Sequence, residues 1–262
     1  MQYFFLNLLY TLLGLNFSAT YYQPDDDIST FVSTYWLVEN SGNKNNITSI
    51  PDAFFELVLS KDEDNEFEIW LLGLGTVFED NKEMPATKMF GISFKLIASE
   101  YIFGQPIADI KNSAKKLPEG FWGFDENDLQ DITQLIEKVN NKIKESIPGI
   151  IDLRKKRLFE ILYQSKGAIS VKELAEQSCW SSRQINRYFN HQFDISLKSY
   201  CNILRFRSSF EHLKKGKLFP EQNFSDQAHF IREVKKLSGV SPKKISKNEN
   251  DRFIQFSTKP KK

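Results

Sequence analysis

Short apolar runs with strand-like spacing fill the first half of the chain. β-branched and aromatic residues dominate positions 30–38, 53–60, 66–74 and 88–95, and Gly, Asn, Asp and Pro residues separate these runs as in turns. A short helix is expected over residues 97–103. The pattern predicts a mainly antiparallel, barrel-like β domain over residues 20–125.

From residue 125 to 147 the spacing becomes helical, with apolar residues at steps of three and four until Pro148 and Gly149 end the helix. Residues 126–150 are therefore expected to connect two domains. This apolar stripe has two interpretations: it packs against its own β domain, or it is the seam of a homodimer. Its members are Leu129, Ile132, Ile136, Val139 and Ile143.

Residues 151–246 are predicted to form an all-α domain, which makes the chain an α+β protein. Helices are expected over 152–165, 171–178, 182–193, 196–214 and 226–237, with Ser181 and Ser225 as N-caps. The helix over 196–214 would be about 28 Å long at 1.5 Å per residue. Residues 171–193 have the pattern of a helix-turn-helix: a short helix, a four-residue turn and a capped longer helix.

An internal repeat with an offset of 45 residues predicts a second such unit. The order apolar, Arg, apolar, aliphatic, Ser occurs twice at the same spacing. A DNA-binding protein with two units could place one recognition helix in each of two adjacent major grooves. The first copy is Ile185, Arg187, Phe189, Ile195 and Ser196, and the second is Phe230, Arg232, Val234, Val240 and Ser241.

The repeat region resembles the AraC/XylS family of bacterial transcription regulators. The resemblance is carried by VKELA at 171–175, SSRQINRYF at 181–189, FSDQAHFIRE at 224–233 and GVSP at 239–242. Residues 35–38, 51–57 and 90–94 resemble the β-rich domain of unknown function that precedes such units in many regulators. The resemblance implies a transcription regulator with an N-terminal sensing or oligomerisation domain.

Two features depart from the family pattern. Cys179 stands in the first turn where the family commonly has Gly, which predicts a modified turn because Cys adopts the left-handed conformation poorly. The segment between Lys217 and Phe224 is short and contains Pro220. The first helix of the second unit is therefore expected to be stunted.

Charge divides the chain at the same boundary. Residues 1–150 carry 11 Lys, no Arg and 23 acidic residues, a net charge of −12, whereas residues 151–262 carry a net charge of +13. A basic half favours a polyanionic partner, here double-stranded DNA. Arg can read guanine, Asn can read adenine, and Lys contacts phosphates. The predicted DNA contacts are Ser182, Arg183, Asn186, Arg187, Gln227, Arg232, Lys235 and Lys236.

Candidate catalytic and metal chemistry is sparse. The first 150 residues contain neither His nor Cys, the two cysteines lie far apart, and no nucleotide-binding or nucleophile-elbow motif occurs. We therefore expect no enzyme activity, no cofactor and no metal, in a reducing, cytoplasmic compartment. The acidic run over residues 62–68 is interpreted as a loop, with calcium binding as the alternative.

The aromatic residues of the first domain allow a pocket for a small-molecule inducer, although such residues also fill ordinary cores. The candidate lining is Trp36, Phe54, Trp70 and Phe90. An activator would additionally contact RNA polymerase. The alternative function is a protein-interaction or ligand-binding adaptor with only non-specific affinity for DNA.

The two ends of the chain are interpreted separately. The uncharged apolar segment 1–19 fits three descriptions: a signal peptide, an element packed on the first domain, or an extension from an upstream start codon. Residues 247–262 form a basic tail.

Overall fold

The computed structural model describes residues 17–40, 45–84, 88–218, 224, 226–248 and 253. Residues 1–16 of the apolar N-terminal segment, the predicted N-cap Ser225 and most of the basic tail lie outside the described residues. Within the described ranges, no helix is both long and apolar enough to cross a membrane.

A six-stranded antiparallel sheet forms the centre of the first domain. Its order is β1-β2-β7-β4-β5-β8, and β3 pairs with β6 in a second, two-stranded sheet. The four predicted strands are confirmed as β2, β4, β5 and β7. The strands are β1 Phe17–Tyr22, β2 Val32–Asn40, β3 Asn45–Ser49, β4 Phe55–Lys61, β5 Phe67–Leu72, β6 Glu79–Met84, β7 Lys88–Phe94 and β8 Ala114–Lys116.

The sheet is open, which corrects the predicted barrel-like form. Closure of a barrel requires the two edge strands to pair, and in the described part of the chain β1 pairs only with β2 and β8 only with β5. The edge strand β8 has three residues, all exposed. Such a strand offers too short a ladder to continue the sheet.

The two faces of the sheet have different roles, because successive side chains in a strand point to opposite sides. One row across the sheet is fully buried core: Tyr35, Ile92, Leu57 and Leu71. The neighbouring row lies on the other face and mixes polar with apolar side chains. It consists of Thr34, Ser93, Glu56, Leu72 and Ala114.

The predicted connecting helix packs against its own domain. It begins as a 3-10 turn over Glu126–Gln130 and continues as an α-helix over Ile132–Ser146 after the N-cap Asp131. Tyr35 on the core face donates a hydrogen bond to Asn140 of this helix. In the apolar stripe Leu129, Val139 and Ile143 are buried, and Ile132 and Ile136 are partly buried against the same core. A homodimer seam could therefore use only the exposed parts of Ile132 and Ile136, and dimerisation stays a prediction.

The second domain is helical throughout, as predicted. Helix α1 of the first domain is Ala98–Tyr101, and α2 is the connecting helix Ile132–Ser146. The helices of the second domain are α3 Leu153–Gln164, α4 Val171–Gln177, α5 Ser182–Phe193, α6 Leu197–Ser208, α7 Phe210–Lys214, α8 Gln227–Ser238 and α9 Pro242–Lys247.

The 45-residue repeat is present in the backbone. Helices α5 and α8 each contain 12 residues and begin 45 residues apart. Each ends in a left-handed residue, Asp194 with φ 48° and Gly239 with φ 73°. A Ser N-cap then opens the next helix in both copies, at Ser196 and Ser241. The two copies thus share helix length, C-cap and exit.

Two details of the predicted helices are wrong. Asp226 is the N-cap of α8, where its side chain accepts a hydrogen bond from the His229 amide at 2.7 Å. The single helix expected over residues 196–214 is broken at Ser209, whose hydroxyl donates to the Phe206 carbonyl at 2.6 Å. A serine hydroxyl that takes a backbone acceptor in this way competes with the helical pattern.

A chain of hydrogen bonds joins the two domains. The Leu96 amide donates to the Tyr163 hydroxyl at 3.1 Å, the Tyr163 and Tyr200 hydroxyls lie 2.9 Å apart, and Tyr200 donates to the Ala53 carbonyl at 3.0 Å. Since the Tyr200 proton goes to Ala53, Tyr163 must donate to Tyr200. Burial raises the pKa of Tyr163 to about 12 and that of Tyr200 well above its ordinary value. Both phenols therefore stay neutral, as the chain requires.

We expect Tyr163→Phe and Tyr200→Phe each to lower the free energy of unfolding by about 1–3 kcal/mol, because each leaves buried polar groups unsatisfied. The double variant should cost less than the sum of the single variants, since the two hydroxyls bond to each other. Equilibrium denaturation of the four proteins measures both effects. Strictly additive losses would contradict the hydrogen-bond chain.

Candidate DNA-binding helices and interdomain cavity

The first predicted helix-turn-helix unit consists of α4 and α5, and α5 exposes two of its four predicted DNA contacts. Arg183 and Arg187 are exposed, and Ser182 and Asn186 are half-buried. Neither guanidinium forms an ion pair with any described residue. The Asn186 amide donates to the Ser182 carbonyl within the helix at 3.0 Å. Two unpaired arginines thus lie at the solvent face of α5.

Helix α8 repeats this arrangement. Gln227, Arg232, Lys235 and Lys236 are exposed, and Phe230, Val234 and Leu237 are buried on its other side. Arg232, Lys235 and Lys236 form no ion pair with any described residue. The first helix of this unit, expected between Lys217 and Phe224, falls almost entirely outside the described residues.

The first domain packs on a different side of α5. Tyr188 donates to Glu100 at 3.1 Å, and the Gln192 carbonyl accepts from the Ile107 amide at 2.9 Å. At about 100° per residue, Tyr188 lies about 100° from Arg187 around the helix, and Gln192 lies farther still. The domain contact therefore leaves the arginine face of α5 open.

The turn between α4 and α5 keeps the left-handed residue that the family places there. Cys179 has φ 53°, so the modified turn predicted from this cysteine is wrong. A left-handed conformation costs a non-glycine residue about 1–2 kcal/mol. Ser178 donates from its buried hydroxyl to the Leu174 carbonyl at 2.7 Å, and the capping box of Ser181 with Gln184 starts α5. These bonds hold the turn on both sides of Cys179.

A cavity of about 940 Å³ lies between the mixed face of the sheet and the second domain. Its floor includes Thr34, Trp36, Glu56, Val58 and Ser93 on the strands. The helices contribute the opposite wall, with Tyr163 at the end of α3 and further residues of α6 and α7. These are Leu204, Arg207, Ser208, Phe210, Glu211 and Lys214.

Only part of the predicted pocket lining faces this cavity. Trp36 and Phe54 line the cavity, whereas Phe90 is fully buried on the opposite, core face of the sheet. Gly91 pairs with Trp36 on the cavity face, and successive residues of a strand alternate between faces, so its neighbour Phe90 points into the core. Trp70 occupies the cavity face but lies outside the lining, and its indole donates to Glu68 at 3.0 Å. The placement of Phe90 and Trp70 in the pocket is therefore wrong.

A glycine creates space for Trp36. A Cβ atom on Gly91 would lie 2.0 Å from the indole ring of Trp36, its cross-strand neighbour. Glycine inside a strand often marks such a close approach. The indole thus lies flat across β7, and its Nε1 donates to Glu56 Oε1 at 2.9 Å.

Glu56 is the central polar group of the cavity floor. Its Oε1 accepts hydrogen bonds from Trp36 and, at 2.7 Å, from the Ser93 hydroxyl. Burial and, after it, the neighbouring Asp52 carboxylate raise the pKa of Glu56 to about 7, whereas the two hydrogen bonds and the Arg207 guanidinium oppose this rise. Burial also raises the pKa of Asp52, which the Arg207 guanidinium opposes.

Arg207 of α6 contributes a positive charge from the second domain to the cavity lining. Its guanidinium carbon lies 4.4 Å from the centroid of the Phe54 ring, a cation–π contact. It forms no ion pair within 4 Å with any described carboxylate. The α6 helix therefore contacts the cavity loop by stacking and by the Tyr200–Ala53 hydrogen bond.

The acidic run of the β4–β5 loop is a turn. Asp62 Oδ1 accepts hydrogen bonds from the amides of Asp64 at 3.0 Å and Glu66 at 2.9 Å. In the described ranges, no three His, Cys, Asp or Glu side chains form a group that could hold a metal ion.

Comparison with family models supports the first domain. Residues 20–115 match the model described as Domain of unknown function (DUF6597). The function-unknown β-rich domain predicted from the sequence is thus confirmed. Comparison with curated protein sequences finds no match.

Comparison with solved structures finds ToxT from Vibrio cholerae. A 1.65 Å structure of ToxT is 13% identical, with a TM-score of 0.44 over 88% of this chain and 97% of that one. ToxT bound to (E)-4-(8-methylnaphthalen-1-yl)but-3-enoic acid is 14% identical, with a TM-score of 0.44 over 88% and 98%. ToxT bound to an unsaturated fatty acid is 13% identical, with a TM-score of 0.42 over 88% and 94%.

Several cavity residues were not predicted from the sequence. Glu56 carries a weak signal, because it interrupts an otherwise apolar run in β4 of the first domain. Gly91 carries another, as a glycine inside a strand. Tyr163 and Arg207 carry none, since their roles depend on how the helices meet the sheet.

We expect Glu56 to make the wild-type protein less stable as pH rises. Its folded pKa of about 7 exceeds its ordinary value of 4.5, so its contribution is fully present below about pH 4.5 and is lost as pH rises through 7. Glu56→Gln should remove this dependence. The difference in unfolding free energy between the two proteins should change by up to about 3 kcal/mol across the window, at about 1.4 kcal/mol per pKa unit.

Urea denaturation at a series of pH values measures this difference. Glu68→Gln is the matched control. Hydrogen bonding to Lys116 lowers the pKa of Glu68, so its small contribution to the unfolding free energy changes with pH in the opposite direction to that of Glu56. A Glu56→Gln variant that kept the wild-type pH dependence would contradict the assignment.

Proposed function

We propose that this protein is a sequence-specific DNA-binding transcription regulator that inserts α5 and α8 into adjacent major grooves. The observation that carries the proposal is the structural repeat: two 12-residue helices, 45 residues apart, with the same left-handed C-cap and unpaired basic side chains on the exposed face. Recognition helices need these properties, because cations must reach phosphates and base edges without first breaking ion pairs.

The charge division supports DNA as the partner. A chain with net charge +1 has little overall attraction for DNA, but residues 151–262 carry a net charge of +13 in one part of the chain. The acidic first domain would be repelled from the duplex. This arrangement orients the helical domain toward the phosphates.

We further propose that a small molecule in the interdomain cavity controls this binding. The cavity has one wall from each domain, and the Tyr163–Tyr200 hydroxyl chain runs beside it. Helix α6, which carries Tyr200 and Arg207, follows the recognition helix α5 after only three residues. A ligand that changes the distance between the walls would therefore move α6 and, with it, the recognition helices.

An adaptor with only non-specific affinity for DNA is the alternative function. Such an adaptor would need the basic domain, but it would not need an exposed arginine at the same position of both helices, Arg187 in α5 and Arg232 in α8. The two functions differ in whether base sequence affects affinity.

We expect the full chain to bind duplex DNA with an affinity that falls steeply with salt. Each neutralised phosphate contributes a slope of about −0.9 in a plot of log association constant against log salt. Fluorescence anisotropy with a labelled duplex measures the slope. Binding that is insensitive to salt, or absent at low salt, would overturn the proposal.

Arg187→Ala should cost about 1–3 kcal/mol at one base position and remove the preference there. Lys235→Ala should weaken binding evenly across sequences, because it loses only a phosphate contact. Selection from a randomised DNA pool followed by affinity measurements separates the two effects. Arg157→Ala, on α3 and paired with Glu160, is the control that should change neither. If Arg187→Ala and Lys235→Ala both weakened DNA binding equally for all sequences, the proposal that Arg187 reads bases would be wrong.

A further inference from the structure

Among the half-buried charged residues that line the interdomain cavity, acidic groups outnumber basic groups. Asp52 and Glu56 are half-buried on the cavity floor and loop, and Arg207 is the half-buried cation of the lining. The other charged lining groups are the half-buried Glu79 and the exposed Glu211, Lys166 and Lys214. Two interior carboxylates thus face one guanidinium.

In each of these two carboxylates, only one oxygen accepts a hydrogen bond from a described residue. Glu56 Oε1 accepts from Trp36 and Ser93, and Asp52 Oδ1 accepts from the Phe54 amide at 3.2 Å. Among the described residues, neither Glu56 Oε2 nor Asp52 Oδ2 accepts a hydrogen bond. A carboxylate offers about four acceptor positions, so this part of the cavity has unused acceptors.

We infer that the interdomain cavity binds an organic cation, an amine that carries an aromatic or aliphatic group. Its ammonium group donates to the free oxygens of Asp52 and Glu56, and its apolar part contacts Trp36, Phe54 and Tyr163. This inference rests on the proposed control of DNA binding by a small molecule and names the chemical class of that ligand.

The chemistry of the site excludes the opposite charge. A carboxylate ligand would bring a third negative charge beside Asp52 and Glu56, and burying unpaired like charges is costly. Of the three cations in the lining, Lys166 and Lys214 are exposed to solvent, and Arg207 already stacks on Phe54. An ammonium group, by contrast, relieves the repulsion between the two carboxylates and donates hydrogen bonds to their free oxygens.

The size and lining of the cavity fit a small organic molecule. About 940 Å³ is within the usual range for ligand pockets, roughly 300–1,000 Å³. The Trp36 indole lines the same space as the two carboxylates. Aromatic faces attract cations, so the lining adds to the selectivity for an amine.

Three probes of one shape test the charge requirement: 4-phenylbutylamine, 4-phenylbutanol and 4-phenylbutanoate. Each probe is titrated into the full-length protein without DNA. Binding is monitored by the midpoint of thermal unfolding and by tryptophan fluorescence. We expect the amine to raise the midpoint and to bind at least about tenfold more tightly than the alcohol, which corresponds to about 1.4 kcal/mol. The carboxylate should bind more weakly than the alcohol.

Glu56→Gln and Asp52→Asn should each weaken amine binding about tenfold or more and bring it close to that of the alcohol. Glu68→Gln, whose carboxylate lies outside the cavity, is the control with unchanged binding. Circular dichroism and alcohol binding verify that the two cavity variants keep their fold. Equal binding of the amine and the carboxylate, tighter binding of the carboxylate, unaltered amine binding in both cavity variants, or no binding of any probe would overturn the inference.

DNA affinity measured on the same samples without probe keeps this result separate from the proposed function. A protein that binds DNA but no amine contradicts the ligand class alone. One that binds the amine but never DNA contradicts the regulator and leaves the amine site standing.

Discussion

The Tyr163–Tyr200 hydroxyl chain is the constraint that positions the two domains. It begins at the Leu96 amide at the end of β7 and finishes at the Ala53 carbonyl beside the cavity loop. Ala53 has φ 73° and is fully buried, a backbone conformation that persists only where its surroundings hold it. Because the chain has one direction of donation, each of its members depends on the others, and loss of any hydroxyl leaves buried groups without partners.

The cavity follows from that docking and from the alternation of the sheet. In β4, Leu57 and Leu59 point into the core, whereas Glu56 and Val58 point toward the second domain. The sheet therefore presents one dry face to α2 and one partly polar face to α3, α6 and α7. The polar face is stable only because Trp36 and Ser93 bond to Glu56, and because the helices cover it.

The helical domain meets two requirements with different faces of α5. Its buried residues hold the helix-turn-helix, Tyr188 and Gln192 bind the first domain, and Arg183 and Arg187 remain in solvent. Contact with the first domain and proposed contact with DNA are thus compatible. Helix α8 also has exposed basic residues, and it ends in a left-handed residue as α5 does.

The sequence by itself determined the local elements: the four main strands, the connecting helix, and the two recognition helices with their repeat, because period, caps and turn residues act over a few neighbours. It also placed the exposed arginines of α5, which follow from helical spacing. Only the tertiary structure decided that the sheet stays open, that Phe90 belongs to the core and that Leu129, Val139 and Ile143 pack inside their own chain. The cavity likewise depends on residues as distant as Glu56 and Arg207, and such a pairing arises from domain docking, which no local pattern records.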